Sequence, residues 1–355
     1  MNKPILSAML SCQKEYLTDE EKYLFSQYSP LGITLFERNI RNKSQLKKLV
    51  EDIKNTINRD DVLIAVDEEG GRVSRLRKIK KTTYISEEEL GNKPKEYSKA
   101  HAELIAIDMR SLGINVNYAP VVDVKTRNEK GVLATRCFSK NKEEIVKYAT
   151  TIADTYMDMS ICPCIKHIPG HFSSSKDPHI NELSTNLSQE KIEKEIKYLD
   201  FISHYPMAMT SHIKLNQIDK INPTTTSSKV ISTIIRGYLK FDGFLISDAI
   251  DMHAITGSIV DKSNQSLNAG VDAICYCGGN INHLNAICKE QRFMTEKSLI
   301  RFANIKKIIH NKPRKIDVKL VKNFYQEGCK DAINQKYSYD ATEVLHQMLK
   351  KGEII

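Results

Sequence analysis

Val62-Leu63-Ile64-Ala65-Val66-Asp67-Glu68-Glu69-Gly70-Gly71-Arg72 is an apolar run that stops abruptly in three acids, two glycines and an arginine. A short uninterrupted run rich in Val, Ile and Leu fits a strand buried on both faces, as in a parallel sheet, and the polar residues lie where such a strand leaves the core. Seven further runs read the same way: Ile5 to Leu10, Gly32 to Phe36, Ile114 to Tyr118, Cys162 to Lys166, Met207 to His212, Gly243 to Ser247 and Asp272 to Cys277. The stretches between them are long enough for crossover helices. Eight such units predict an α/β fold closed into a (β/α)8 TIM-type barrel rather than an open sheet.

Helix signals fit the gaps. Thr18-Asp19-Glu20-Glu21 is a capping box, and Lys95 to Ser111 is amphipathic, with Ala102, Ile105, Ala106 and Met109 at core-facing spacing before Gly113 ends it. At about 150 residues per domain, 355 residues allow two domains or one large barrel. No Pro, Gly or Ser linker cuts the chain, so residues 1–312 read as one barrel domain and 313–355 as a C-terminal helical extension packed on it.

Composition narrows the function classes. With 41% hydrophobic and 27% charged residues the chain has material for a large core, which excludes disorder, collagen and a membrane bundle. The net charge of +9 admits an anionic partner, yet Lys and Arg are interspersed with Asp and Glu. The densest basic cluster, Arg75 to Lys81, has no interleaved aromatics on which bases could stack, so no nucleic-acid partner is expected. Eight cysteines are too sparse for a disulfide scaffold and none has CxxC spacing. Cys162/Cys164 and Cys275/Cys277 read as paired small core residues on one face of a strand. The apolar run at Ile5 to Leu10 is too short for a signal peptide, and Ser11-Cys12 only faintly echoes a lipoprotein cleavage site. No run approaches a membrane span, so the expectation is a cytoplasmic protein.

Barrel enzymes carry their chemistry at the C-terminal ends of the strands. Here strand three ends in Asp67-Glu68-Glu69-Gly70-Gly71-Arg72, strand five in Lys166-His167-Ile168-Pro169-Gly170-His171, strand six in His212 and strand seven in Ser247-Asp248. Read singly, Asp248 could be a helix N-cap and Gly70-Gly71 a tight turn. Read together, they offer a sugar site, with Asp67 accepting hydrogen bonds from hydroxyl groups. The segment Lys166 to His179 adds His171, Asp177 and His179. Those residues admit a zinc set of His167, His171, Asp177 and His179, but also a metal-free proton donor in which Asp177 fixes the tautomer of His179.

These motifs resemble the family-3 glycoside hydrolases, and among them the single-domain bacterial β-N-acetylglucosaminidases of peptidoglycan recycling. Asp67 through Arg75 is similar to the D-x-E-G-G-R-V-x-R signature of that family. Leu112-Gly113-Ile114-Asn115 through Ala119-Pro120-Val121-Val122-Asp123-Val124 is similar to its next signature. Lys166 through His171 with Asp177-Pro178-His179 resembles K-H-F-P-G-H and its D-S-H ending, and Phe241-Asp242-Gly243 with Ser247-Asp248 and Met252 resembles the nucleophile segment. The resemblance implies Asp248 as nucleophile and His179, oriented by Asp177, as acid/base. It further implies sugar contacts from Asp67, Arg75, Arg136, Lys166 and His167, to which position adds His212. Phe172 stands where that family has Gly, Pro178 replaces Ser, and Ala249 replaces a second Asp.

The expected function is thus a retaining exo-β-N-acetylglucosaminidase acting on muropeptide fragments as a monomer, with no cofactor, metal, nucleic acid or membrane. An imidazole donor avoids a second negative charge beside a nucleophile that must stay ionised. The rivals are a metal-dependent hydrolase built on His167, His171, Asp177 and His179, and a non-catalytic sugar-binding barrel, which the substitutions at 172, 178 and 249 would suit.

Overall fold

The structure is a computed structural model that describes residues 3–80, 82–125, 133–172 and 183–333. Eight parallel strands alternate with helices: β1 Leu6–Ser11, β2 Pro30–Leu35, β3 Leu63–Val66, β4 Val116–Asn117, β5 in two pieces (Cys162–Pro163 and Ile165–Ile168), β6 Met207–Thr210, β7 Phe244–Ala249 and β8 Ala273–Cys275. β1 pairs with β2 and β8, and the two pieces of β5 pair with β4 on one side and β6 on the other, so the ring closes. The barrel predicted from the eight runs is the fold observed.

The helices after successive strands are α1 Asp19–Tyr28, α2 Lys43–Ile57, α3 Lys95–Ser111, α4 Lys142–Asp158, α5 Gln189–Ile196, α6 Ser228–Val230 continuing through Ile231–Tyr238, α7 Ile259–Ala269 and α8 Ile281–Lys289. α9 Glu296–Ile309 and α10 Val318–Gly328 follow. Thr18 Oγ1 accepts from Glu21 N–H while the Glu21 carboxylate accepts from Thr18 N–H, the reciprocal cap that starts α1. α3 runs over the residues its amphipathic pattern indicates, and Gly113 follows it at φ +77°, where a side chain would be strained.

Two apolar layers hold the barrel. Inside the ring, Met9, Leu63, Val116, Cys164, Met209 and Ile246 fill the lumen, and Phe302 and Ile305 of α9 cover one end. Outside it, Ile33, Ile64, Leu245 and Ile274 on the strands pack against Leu49, Ile105, Ile152 and Leu284 on the helices. Alternate residues of each strand therefore face opposite layers, which is why both faces must be apolar and why the strands read as unbroken runs. Cys162, Cys164 and Cys275 are buried in the lumen, as the paired spacing predicts, whereas Cys277 is half-buried just beyond β8. α10 belongs to the same core: Tyr325 is fully buried, and Phe324 stacks on Tyr97 of α3. No helix among the described residues is long and apolar enough to cross a membrane.

Candidate active site

β3 ends at Val66, and Glu68–Gly70 then pairs antiparallel with Val73–Ser74. Gly70 and Gly71 have φ of +97° and +57°, so the tight turn anticipated from the two glycines is real. It also serves the site, because it returns the chain so that Arg75 Nη2 lies 3.6 Å from Asp67 Oδ2. Lys166, at the end of β5, reaches Asp67 Oδ1 at 2.7 Å and Glu69 Oε1 at 2.6 Å. Arg136, from the short turn Ala134–Arg136, grips both Glu69 oxygens at 2.9 Å. Three cations thus surround two carboxylates.

Burial alone would raise the Glu69 and Asp67 carboxyls, but Arg136 and Lys166 hold Glu69 well below the usual carboxylate range, and Lys166 and Arg75 lower Asp67. The same pairing raises Lys166 against the burial that would lower it. All of them are therefore charged at neutral pH, and the cluster is a fixed field into which hydroxyl groups can donate and accept.

Asp123, beyond β4, organises the next part of the rim. Its Oδ2 accepts from His167 Nδ1 at 2.8 Å and its Oδ1 from His171 Nδ1 at 2.9 Å, while the backbone N–H groups of the same two residues donate to the same oxygens. Burial would raise the Asp123 carboxyl, but the His171 and His167 rings beside it carry it well below its ordinary value. Burial lowers the His167 ring despite the neighbouring carboxylate, so the ring is neutral at pH 7. With Nδ1–H committed to Asp123, His167 Nε2 is an acceptor, and it sits 4.0 Å from Asp248 Oδ2.

Asp248 lies at the end of β7, with its side chain 19% exposed. Its N–H donates to Thr210 Oγ1, Thr210 bonds Thr225 Oγ1 at 2.7 Å, and Thr225 meets His212 Nδ1 at 2.7 Å. His212 Nε2–H returns to Ala249 O at 2.9 Å, so the loop of bonds closes on the backbone on both sides of the Asp248 side chain. Ala249 N–H itself donates to Asp248 Oδ1 at 2.7 Å.

The structure therefore brings together Asp67, Arg75, Arg136, Lys166, His167 and Asp248. His212 is 1% exposed and braces the strand end that carries Asp248. Asp177, Pro178 and His179 lie outside the described residues. Phe172 occupies φ +53°, a left-handed backbone where a glycine would sit without strain. Of the four residues of the zinc reading, His167 and His171 do come together with Asp123, but both turn Nδ1–H toward its carboxylate, an arrangement already complete as hydrogen bonds. Sequence reasoning did not single out Asp123 or Glu69 as functional. Asp123 follows strand four as Asp248 follows strand seven, so inspecting the end of every strand would have found it.

Residues 8–302 match the glycosyl hydrolase family 3 N terminal domain. The chain belongs to that family. This family-3 chain is 32% identical over 271 residues to a beta-hexosaminidase of Shewanella frigidimarina, covering 73% of itself and 78% of that relative. It is 29% identical over 281 residues to beta-hexosaminidase A of Pseudoalteromonas piscicida, of whose length the match spans 47%. In fold it is similar to NagZ from Neisseria gonorrhoeae, solved with N-trifluoroacetyl-D-glucosamine, with a TM-score of 0.76 and 24% identity over 93% of this chain and 96% of that one. A family 3 beta-N-acetylglucosaminidase from Paenibacillus sp. gives a TM-score of 0.79 with 23% identity, covering 89% of this chain and 66% of its own.

Proposed function

We propose that this chain is a retaining exo-β-N-acetylglucosaminidase that removes terminal N-acetylglucosamine from muropeptide fragments, working as a cytoplasmic monomer. The observation that carries the reading is the position of Asp248, whose Oδ2 is 4.0 Å from an imidazole acceptor and whose backbone is braced on both sides. A nucleophile needs that combination of partial exposure and a fixed direction. The relatives named beta-hexosaminidase support the same sugar class.

Asp248 attacks the anomeric carbon, forming an ester bond as the glycosidic C–O bond breaks, and His179 gives its ring proton to the departing oxygen. Water then attacks the same carbon, His179 takes a proton from it, and the ester opens to return Asp248 as a carboxylate. Asp177 orients His179. Asp67, Arg75, Arg136, Lys166 and His167 hold the sugar hydroxyl groups, with the three cations donating and Asp67 and His167 Nε2 accepting. The lactyl and peptide carboxylates of a muropeptide suit the chain's net charge of +9.

Turnover of an aryl N-acetylglucosaminide tests this directly. Asp248→Ala is expected to cut kcat by about 1000-fold or more, as loss of a covalent nucleophile does. A fluorinated N-acetylglucosaminyl reagent should leave its mass on the peptide containing Asp248. Equal turnover in wild type and variant would overturn the assignment. Tight sugar binding with no turnover on any aryl glycoside would instead support the non-catalytic barrel.

A further inference from the structure

We propose that Tyr325 on α10 and His101 on α3 are positioning residues that set the height of Glu69, and through it the two cations, Arg136 and Lys166, that meet the sugar. For its effect on turnover the inference rests on the function proposed above. Its geometric content stands without it.

Tyr325 and His101 are buried, at 0% and 1% exposure. Tyr325 Oη lies 3.0 Å from Ile85 N and 3.0 Å from His101 Nδ1, and His101 Nε2 lies 3.2 Å from Glu69 O. Only one assignment of protons satisfies every atom. Glu69 O can only accept, so His101 Nε2 carries a hydrogen. Burial, with the charge of Lys80 adding to it, pushes the His101 ring down to about 3, so the ring is neutral at working pH and has that single N–H. Nδ1 is then an acceptor and takes the Tyr325 O–H, and Tyr325 Oη takes the Ile85 N–H. The two side chains form a one-directional bridge from the backbone at Ile85 to the backbone at Glu69.

The bridge has little slack. Gly70 follows Glu69 with φ +97°, and a Cβ there would lie 2.2 Å from Ile85 O and 2.8 Å from the His101 ring, so the imidazole packs against bare backbone. On its other side, Glu69 is clamped by charged bonds of 2.6 Å to Lys166 and 2.9 Å to Arg136. Displacement of the Glu69 backbone therefore has to move the cations, because charge-assisted bonds of this geometry resist stretching more than neutral ones do. The C-terminal segment thereby becomes part of the site although it lies on the outer face of the barrel.

The test uses the full chain with Tyr325→Phe, His101→Leu and His101→Gln. The amide of Gln offers a donor nitrogen and an acceptor oxygen and can restore the bridge; Leu cannot. Two measurements separate positioning from mere support. In spectra of arginine-labelled protein, the Nε–H resonance of Arg136 should shift in Tyr325→Phe and His101→Leu and return toward its wild-type place in His101→Gln. With an aryl N-acetylglucosaminide, the first two should raise KM by about 10-fold, equivalent to roughly 1.4 kcal/mol of lost binding, with kcat changed less than about twofold. Gln should restore KM. An Arg136 resonance unmoved in Tyr325→Phe, or moved equally by Leu and Gln, overturns the inference whatever the substrate proves to be. Absence of turnover in wild type would sink the proposed function while the resonance measurement still decides this one.

Discussion

Asp123 spends both of its oxygens on imidazoles, and that sets what a single-atom change there would do. In Asp123→Asn only one side-chain oxygen remains to accept, and the amide N–H2 would face an imidazole N–H 2.8 or 2.9 Å away. Two donors pointing at each other in a buried place cost about 1–3 kcal/mol, which the protein can relieve by turning a ring or by moving its proton from Nδ1 to Nε2. At His167 either response removes the Nε2 acceptor beside Asp248; at His171 neither does. The expected outcome is a lower melting temperature together with a fall in kcat/KM of about 10-fold or more in an aryl N-acetylglucosaminide assay. Wild-type kinetics with the stability loss alone would mean either that the amide nitrogen faces His171 and leaves His167 undisturbed or that His167 Nε2 has no part in the site.

At the level of elements, the end of β7 is held by its pairing with β8, where Ala249 faces Cys275, and also by Thr210 at the end of β6 and the segment that follows it. Thr210, Thr225 and His212 join Asp248 N to Ala249 O through side chains alone. Thr225→Val keeps the shape and removes the hydroxyl, leaving Thr210 Oγ1 and His212 Nδ1 without their shared partner. We expect kcat to fall by about 10-fold with KM little changed, because the sugar-holding cluster around Glu69 lies on other strands. Unchanged kcat in a folded variant would show that the network is only structural. The strands and helices themselves were legible: runs of Val, Ile and Leu at eight places, a capping box at Thr18 and a glycine stop after α3 each follow from local rules that the fold obeys. So was the gathering of Asp67, Lys166, His167 and Asp248 on one rim, since strand ends are readable once the strands are. His212 was read from the same rule as a sugar contact; its buried ring bonds Thr225 Oγ1 and Ala249 O, partners that residue order does not give. The bridge from His101 to Tyr325 joins residues 224 apart in sequence on two different helices, and neither position carries a local pattern. Phe172 at φ +53° likewise had no signal beyond its contrast with a family glycine.

Across the whole molecule, folding buries ionisable groups with opposite linkage to pH. His101 has its pKa lowered from 6.5 to about 3, so as pH falls below 6.5 the unfolded chain takes up a proton that the folded chain refuses, and stability is lost on the acid side. Asp67, Glu69 and Asp123, all lowered, act in the same sense, with their contribution present above the ordinary carboxylate range and lost as pH falls through their folded values. Glu87 is opposed to them. Burial, with the charge of Glu69 adding, raises its carboxyl well above the ordinary value, so its contribution is full below the unfolded pKa and is lost as pH rises toward the folded one. Two conservative substitutions should therefore tilt the same curve in opposite directions. Between pH 7 and pH 4 the linkage of His101 in the wild type amounts to roughly 3 kcal/mol, so His101→Gln should narrow the stability difference between those pH values by about that much. Glu87→Gln should widen it, chiefly by raising stability at pH 7. Urea titrations of the three proteins at pH 4, 5, 6 and 7 read both effects. Parallel curves for wild type and His101→Gln would mean that water reaches the imidazole in the folded protein, and a flatter curve for Glu87→Gln would mean that Glu87 is ionised beside Glu69 after all.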